Sequence, residues 1–295
     1  MTDRARHLKG LAITTLGVLV LTPDSLLVRL ISADTWTLLF WRGLLASLAV
    51  ILVLVALERR HAWAAVRAMG WAGVGVGMAY AGSTLLFVNS LRLGSVANTL
   101  VIISAAPLFG ALGSWWVLKE RVPPRTWVAI VIAMAAIAYL VSGSAEGVAV
   151  GGATLAGDLA ALGTALCLSA SIVLMRRMGG DNSLPAVALG AALFALAGAV
   201  SADTLVLPAA DWPPMLLLGG VVIPIAFGLI MIGPRYIPAP EVGLIFLLET
   251  VLGPLWVWLV IGEQPSPRAF VAGGVLVATL VIHAALSLRA LPRGV

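Results

Sequence analysis

The sequence predicts an all-α integral membrane protein: ten transmembrane helices, arranged as two inverted five-helix repeats, with both termini cytoplasmic. Three observations carry this. Hydrophobic residues make up 61% of the chain and charged residues only 11%, against about 25% charged in a soluble domain. The apolar residues fall in ten continuous runs, each long enough to cross roughly 30 Å of hydrocarbon as a helix. Finally, one long stretch is written twice. Laying 94–125 on 237–268 pairs Gly110 with Gly253, Leu112 with Leu255, Trp115 with Trp258, Val117 with Val260, Glu120 with Glu263 and Arg125 with Arg268. A ladder of matches in one register marks an internal repeat.

The runs cover 10–31, 35–57, 68–91, 94–118, 125–142, 157–178, 184–204, 214–234, 239–261 and 267–290. Spanning strands are excluded because the runs lack the two-residue alternation of a barrel. The first run follows a basic start that resembles a signal peptide, but its length and its Pro23 and Asp24 mark it as a retained span. Turn signals separate the others, among them Pro123-Pro124, Gly151-Gly152, Pro213-Pro214 and Pro238-Ala239-Pro240. The Gly-rich stretch 143–156 reads as a linker between a first repeat, 1–142, and a second, 157–295. A weaker register pairing Gly10 with Gly157, Leu27 with Leu174 and Arg29 with Arg176 extends the repeat to the first spans.

Orientation follows from the basic residues. Of the eighteen Lys and Arg, Arg29, Arg92 and Arg268 fall at one set of span ends and Arg42 falls inside a span. The other fourteen fall at the opposite ends, which the positive-inside rule places in the cytoplasm. The same distribution explains the net charge of +5 without a nucleic-acid partner. Five spans per repeat is an odd number, so the second repeat must be inverted, as in many secondary transporters. The single cysteine, Cys167, permits no internal disulfide and reads as a small buried side chain. His7, His61 and His283 are too dispersed for a metal centre, and no phosphate loop or nucleophile elbow is present. Neither enzymatic activity nor a cofactor is expected.

Polar groups at membrane depth are costly and therefore informative. Glu249 lies near the middle of the ninth span. It reads either as a contact for a substrate amine or a protonatable coupling group, or as a neutral acid bonded to a neighbouring helix. Glu241 stands two turns earlier on the same face. Arg42 in the second span is either a counter-ion for helix packing or a carboxylate-binding group. Asp24, after Pro23, reads as the cap of a broken helix lining the interior. Tyr80, Ser83, Thr84 and Phe87 share one face of the third span, suiting an amphipathic amino acid, though hydroxyls also bind helices to one another. Asn98 and Ser104 on the fourth span are similar candidates. Pro107, Pro224 and Pro234, with the glycine clusters, are expected to allow bending. Most of the ten tryptophans fall at span ends as an interfacial belt, with Trp41 alone deeper.

This organisation, with the Leu118-Lys119-Glu120 and Ile261-Gly262-Glu263 helix ends, Pro107-Leu108, Leu248-Glu249 and Trp41-Arg42-Gly43, resembles the EamA-type carriers of the drug/metabolite transporter superfamily. The resemblance covers essentially the whole chain. Members usually carry a proline after the glutamate equivalent to Glu249, where this chain has Thr250. By overall layout the chain is similar to the YddG-type exporters of aromatic amino acids. The resemblance implies an inner-membrane secondary transporter that works as a monomer among lipids and moves a small molecule by alternating access. Aromatic amino acids are its expected cargo, with a drug, sugar or nucleotide derivative, or a channel, as alternatives.

Overall fold

The computed structural model describes residues 3–58, 62–117, 119, 122–145, 154–177, 183–232, 236 and 239–289, and among them there is no strand. Eight helices are long and apolar enough to cross a membrane, and two further apolar helices, Ile245–Ile261 and Pro267–His283, are shorter by the same measure.

The first apolar run is two helices, α1 (Asp3–Leu21) and α2 (Asp24–Leu30). Pro23 has no N–H to continue the ladder, so the helix stops and restarts there. The break is satisfied locally: the Thr22 hydroxyl donates to the Leu19 carbonyl at 2.9 Å, and the Trp256 indole N–H donates to that hydroxyl at 3.1 Å. Non-helical backbone at membrane depth requires such partners. Helix α3 (Thr35–Glu58) is capped by Asp34, whose Oδ1 accepts from the N–H groups of Trp36 and Thr37. A short helix, α4 (Ala62–Ala68), lies in the connection that follows. The sequence reading gave it no helix. Its Trp63 is 65% exposed beneath the Arg67 guanidinium, as an interfacial turn would be.

Helix α5 (Gly70–Leu93) is followed by α6 (Val96–Ile103) and α7 (Ala106–Val117), which share one apolar run. They part at Ser104-Ala105, one turn before the chain recovers from Pro107, which cannot donate to the carbonyl of Ile103. The first half closes with α8 (Pro124–Ala145). The second comprises α9 (Leu155–Arg177), α10 (Ser183–Ser201), α11 (Trp212–Met215), α12 (Ile223–Ile232), α13 (Ala239–Ile261) and α14 (Pro267–Arg289). A wide π-helical stretch, Leu216–Val222, joins α11 to α12 just before Pro224. Pro234 lies outside the described residues.

The helices pack as two copies of one plan. The contact of α1 with α12 has its counterpart in that of α9 with α5, and α1 with α13 in α9 with α6 and α7. Helix α3 against the π-helical stretch is matched by α10 against α5. Three further contacts, α3 with α10, α6 with α13 and α8 with α14, join equivalent helices directly. The halves are therefore interlocked, not set side by side. Small residues make the closest of these approaches. A Cβ added to Gly43 would stand 2.6 Å from the Ala191 carbonyl, and one on Gly198 2.5 Å from the Phe40 nitrogen. The two repeats also end their fourth unit alike: Gly262 has φ +81° and its repeat partner Lys119 has φ +58°, a left-handed turn that costs glycine nothing and lysine something.

Candidate functional site

The breaks just described bring polar groups from both halves to one place. The Pro23 break starts α2 at Asp24, whose side chain points into the interior and not back at its own helix: Pro23 makes no side-chain cap, and the carboxylate is taken by Arg42. Arg42 Nη1 and Nη2 donate to Asp24 Oδ1 and Oδ2 at 2.7 and 2.9 Å, a two-pronged pair in which each residue is 4% exposed. A charge at this depth is tolerated only when paired in this way. The expectation of Asp24 as a helix cap is thus corrected: the helix break is real, but the carboxylate serves the arginine.

Around the pair stand aromatic and acidic groups. The Arg42 guanidinium lies over the Phe87 ring, 5.8 Å from its centroid. On the same face of α5 the Tyr80 ring meets Phe194 and Phe227 edge-on, with centroids 6.2 and 5.8 Å away. Tyr80 is hydrogen-bonded to Thr84 and feels the charges of Arg42 and Asp24. Glu249, half-buried on α13, stands within electrostatic reach of both Asp24 and Arg42. Five helices therefore converge on one charged and aromatic group: α2, α3, α5, α10 and α13, with α12 behind Tyr80.

Of the remaining expected residues, Ser83 spends its hydroxyl on the Tyr80 carbonyl at 2.9 Å. Asn98 turns to Asp158 and Ser144, and Ser104 donates to the Val101 carbonyl at the α6–α7 break. The structure does not bring Asn98 or Ser104 to the Asp24–Arg42 pair. Glu241 lies in the first turn of α13, but its side chain is outside the described residues. Sequence reasoning missed Phe194 and Phe227, for which isolated apolar positions give no signal, and Asp158, which sat unremarked at the start of a run.

The end of the molecule predicted to face outward is tied shut. Arg29 Nη2 lies 3.0 Å from Glu263 Oε2 and 2.6 Å from the Gly94 carbonyl, and Glu263 Oε1 accepts from the Val96 N–H at 2.8 Å. Asp211 Oδ2 accepts from the Ala33 N–H and the Ser32 hydroxyl, while Arg92 donates to the carbonyls of Ile31 and Ala33. Each acid belongs to the second half of the chain and its partners to the first. The nearby Asp34 carboxyl is pushed up by partial burial but held below the usual carboxylate range by donors from Thr37 and Trp36 and by the charge of Arg92. Two apolar grooves, of about 420 Å³ between α8 and α14 and about 470 Å³ between α7 and α9, lie away from the central pair.

The sequence model described as the EamA-like transporter family matches residues 9–142 and 155–284. No curated protein matches the chain at a significant level. A crystallographically determined chain superposes with a TM-score of 0.67 at 21% identity, covering 97% of this chain and 100% of its own, which establishes likeness of fold alone.

Proposed function

Because the chain belongs to the EamA-like transporter family, a family of membrane transporters within the drug/metabolite transporter superfamily, we propose that it is a secondary carrier exporting small amphipathic metabolites, aromatic amino acids foremost. In this reading ten helices span the inner membrane with both termini in the cytoplasm, and cargo passes through the interior by alternating access. The observation that carries the reading is that Glu249 stands within electrostatic reach of the buried Asp24–Arg42 pair, whose guanidinium lies over Phe87 and whose charges reach Tyr80. A fixed acid beside a ring-lined wall suits a ligand with an ammonium group and an aromatic body. Glu249 takes the ammonium, Phe87 and Tyr80 face the ring, and Thr84 supplies a hydroxyl. Arg42 keeps its charge at the site because Asp24 balances it.

The breaks at Pro23, at Ser104-Ala105 before Pro107, and before Pro224 are the bending points, and the closed mouth at Arg29 and Glu263 is the outer one. The test is counterflow: vesicles holding the purified protein are loaded with unlabelled phenylalanine and presented with labelled phenylalanine. Saturable accumulation, competed by tryptophan and tyrosine and absent from lipid-only vesicles, is the expected result. Absence of accumulation for every amino acid, in folded protein, would remove amino acids as cargo.

A further inference from the structure

A second polar group lies outside the central site, and nothing in the transport path described so far uses it. Asp158, in the first turn of α9, is 1% exposed. Its Oδ2 accepts from the Ser144 hydroxyl at 2.6 Å, and the Asn98 side-chain NH2 lies 3.1 and 3.4 Å from Oδ1 and Oδ2. Helices α6 and α8 of the first half thus hold an acid of the second. The positive end of α9 alone would explain a carboxylate here, but two observations go beyond it. The partners of Asp158 are neutral, with no cation paired to it among the described residues. Moreover, Asn98 is 2% exposed, and its Oδ1 is buried without a hydrogen-bond partner.

An asparagine amide that turns over exchanges donor for acceptor. With the carboxylate ionised, Asn98 and Ser144 both donate to it. With a proton on Asp158 Oδ1, that O–H donates to Asn98 Oδ1 after the turn, while Ser144 continues to donate to Oδ2. The carboxyl oxygens of Asp158 can thus be partnered in both protonation states. Its contacts leave no space for a larger cation: Ser144 and Asp158 touch at 2.6 Å, and a Cβ on the adjacent Gly157 would stand only 2.7 Å from the Gly94 Cα.

We propose that Asp158, with Asn98 and Ser144, is a proton-binding site of the carrier, separate from the central group and loaded from the Arg29–Glu263 mouth. The site lies close to that mouth, since Glu263 holds Val96 and Asp158 holds Asn98, two residues on along the same short helix α6. The charged groups of the elements around it are bound elsewhere: Arg29 of α2 pairs with Glu263, Arg92 of α5 donates to Ile31 and Ala33, and Arg268 of α14 lies against Gly143 and over the Tyr139 ring of α8. The step is a simple addition. A proton from water converts the carboxylate to the acid, no other covalent bond changes, and the reverse step returns the proton to water. Protonation trades the grip of a charged acid on α6 for a neutral one, which ties the site to the helix that borders the mouth.

The coupling role rests on the carrier reading, but proton binding can be tested without transport. Infrared difference spectra of the purified protein, titrated through the physiological range, should show a carboxylic-acid C=O band that Asp158→Asn lacks. Identical spectra from the two proteins would overturn the proposal. In vesicles, Asp158→Asn should exchange substrate at equal pH within about twofold of the parent, yet lose at least about tenfold of the response of net flux to an imposed pH gradient. A retained response, or a parent protein that exchanges substrate but shows no response, would also overturn it. Should Asp158→Asn fail to fold, Ser144→Ala serves in its place: a shifted band midpoint is expected, and an unmoved one counts against the site. Vesicles without exchange of any amino acid but with the infrared band would remove amino acids as cargo and leave the proton site standing.

Discussion

Asp24 and Asp158 are equally hidden, at 4% and 1% exposure, and both sit at the start of a helix inside an apolar run. Asp24 meets a guanidinium through two short bonds; Asp158 meets an amide and a hydroxyl. The difference is one of function in the physical sense. An acid and an arginine buried together depend on each other, because removing either strands the partner's charge. An acid held by neutral groups that can either donate or accept is free to change state. One fold thus keeps a fixed pair at its centre and an adjustable acid near its mouth.

The comparison breaks most severely at the fixed pair. Arg42→Ala leaves Asp24 buried and unpaired, and should cost about 3–5 kcal/mol, enough to abolish folded protein in detergent. Asp24→Asn combined with Arg42→Gln should recover much of that stability while transport remains lost; size-exclusion profiles and thermal melts read both. At the adjustable acid the same measurement should give less. Asn98→Ala removes one hydrogen bond to Asp158, so about 1 kcal/mol is expected, and a loss as large as that of Arg42→Ala would erase the distinction.

The partly exposed outer pair is smaller again. Glu263→Gln should change the melting free energy by no more than about 1 kcal/mol, since Arg29 and Glu263 keep 23% and 16% of their side-chain surface in contact with solvent. It should nonetheless raise the labelling of a cysteine placed at Thr99 by an impermeant reagent added outside. The least effect belongs to Asp34. Its carboxyl titrates below the usual range in the folded protein, so its contribution is present above the unfolded pKa and fades as pH falls through the folded one. Asp34→Ala should therefore lower stability by about 0.5 kcal/mol at neutral pH, where the cap is present, and leave the acid end of the profile, where the contribution has already faded, nearly unchanged.

Much of this architecture was legible before any coordinates. The apolar runs marked where helices lie, and Pro23 and Pro107 marked two breaks because a missing N–H acts locally, whatever packs around it. Arg42 and Glu249 were visible as charges at depth. Their partners were less so. Asp24 read as a cap because Pro23-Asp24 looks like a helix start, and only the folded chain brings Arg42 to its carboxylate. Asn98 read as a cavity residue because a sequence shows its face but not what faces it, and its partner Asp158 lies in the other repeat. Phe194 and Phe227 were invisible for the same reason: an aromatic in an apolar run carries no periodic signal. Helix α4 was lost between two spans because seven residues are too few for a pattern.

The central claim is that the group around Glu249 receives the cargo while Asp158 does not. Counterflow of labelled phenylalanine through the parent, Glu249→Gln and Asp158→Asn, at one pH on both sides, tests it directly. The account predicts saturable exchange in the parent, a loss of about tenfold or more in Glu249→Gln, and near-parental exchange in Asp158→Asn. Undiminished exchange in folded Glu249→Gln would contradict it.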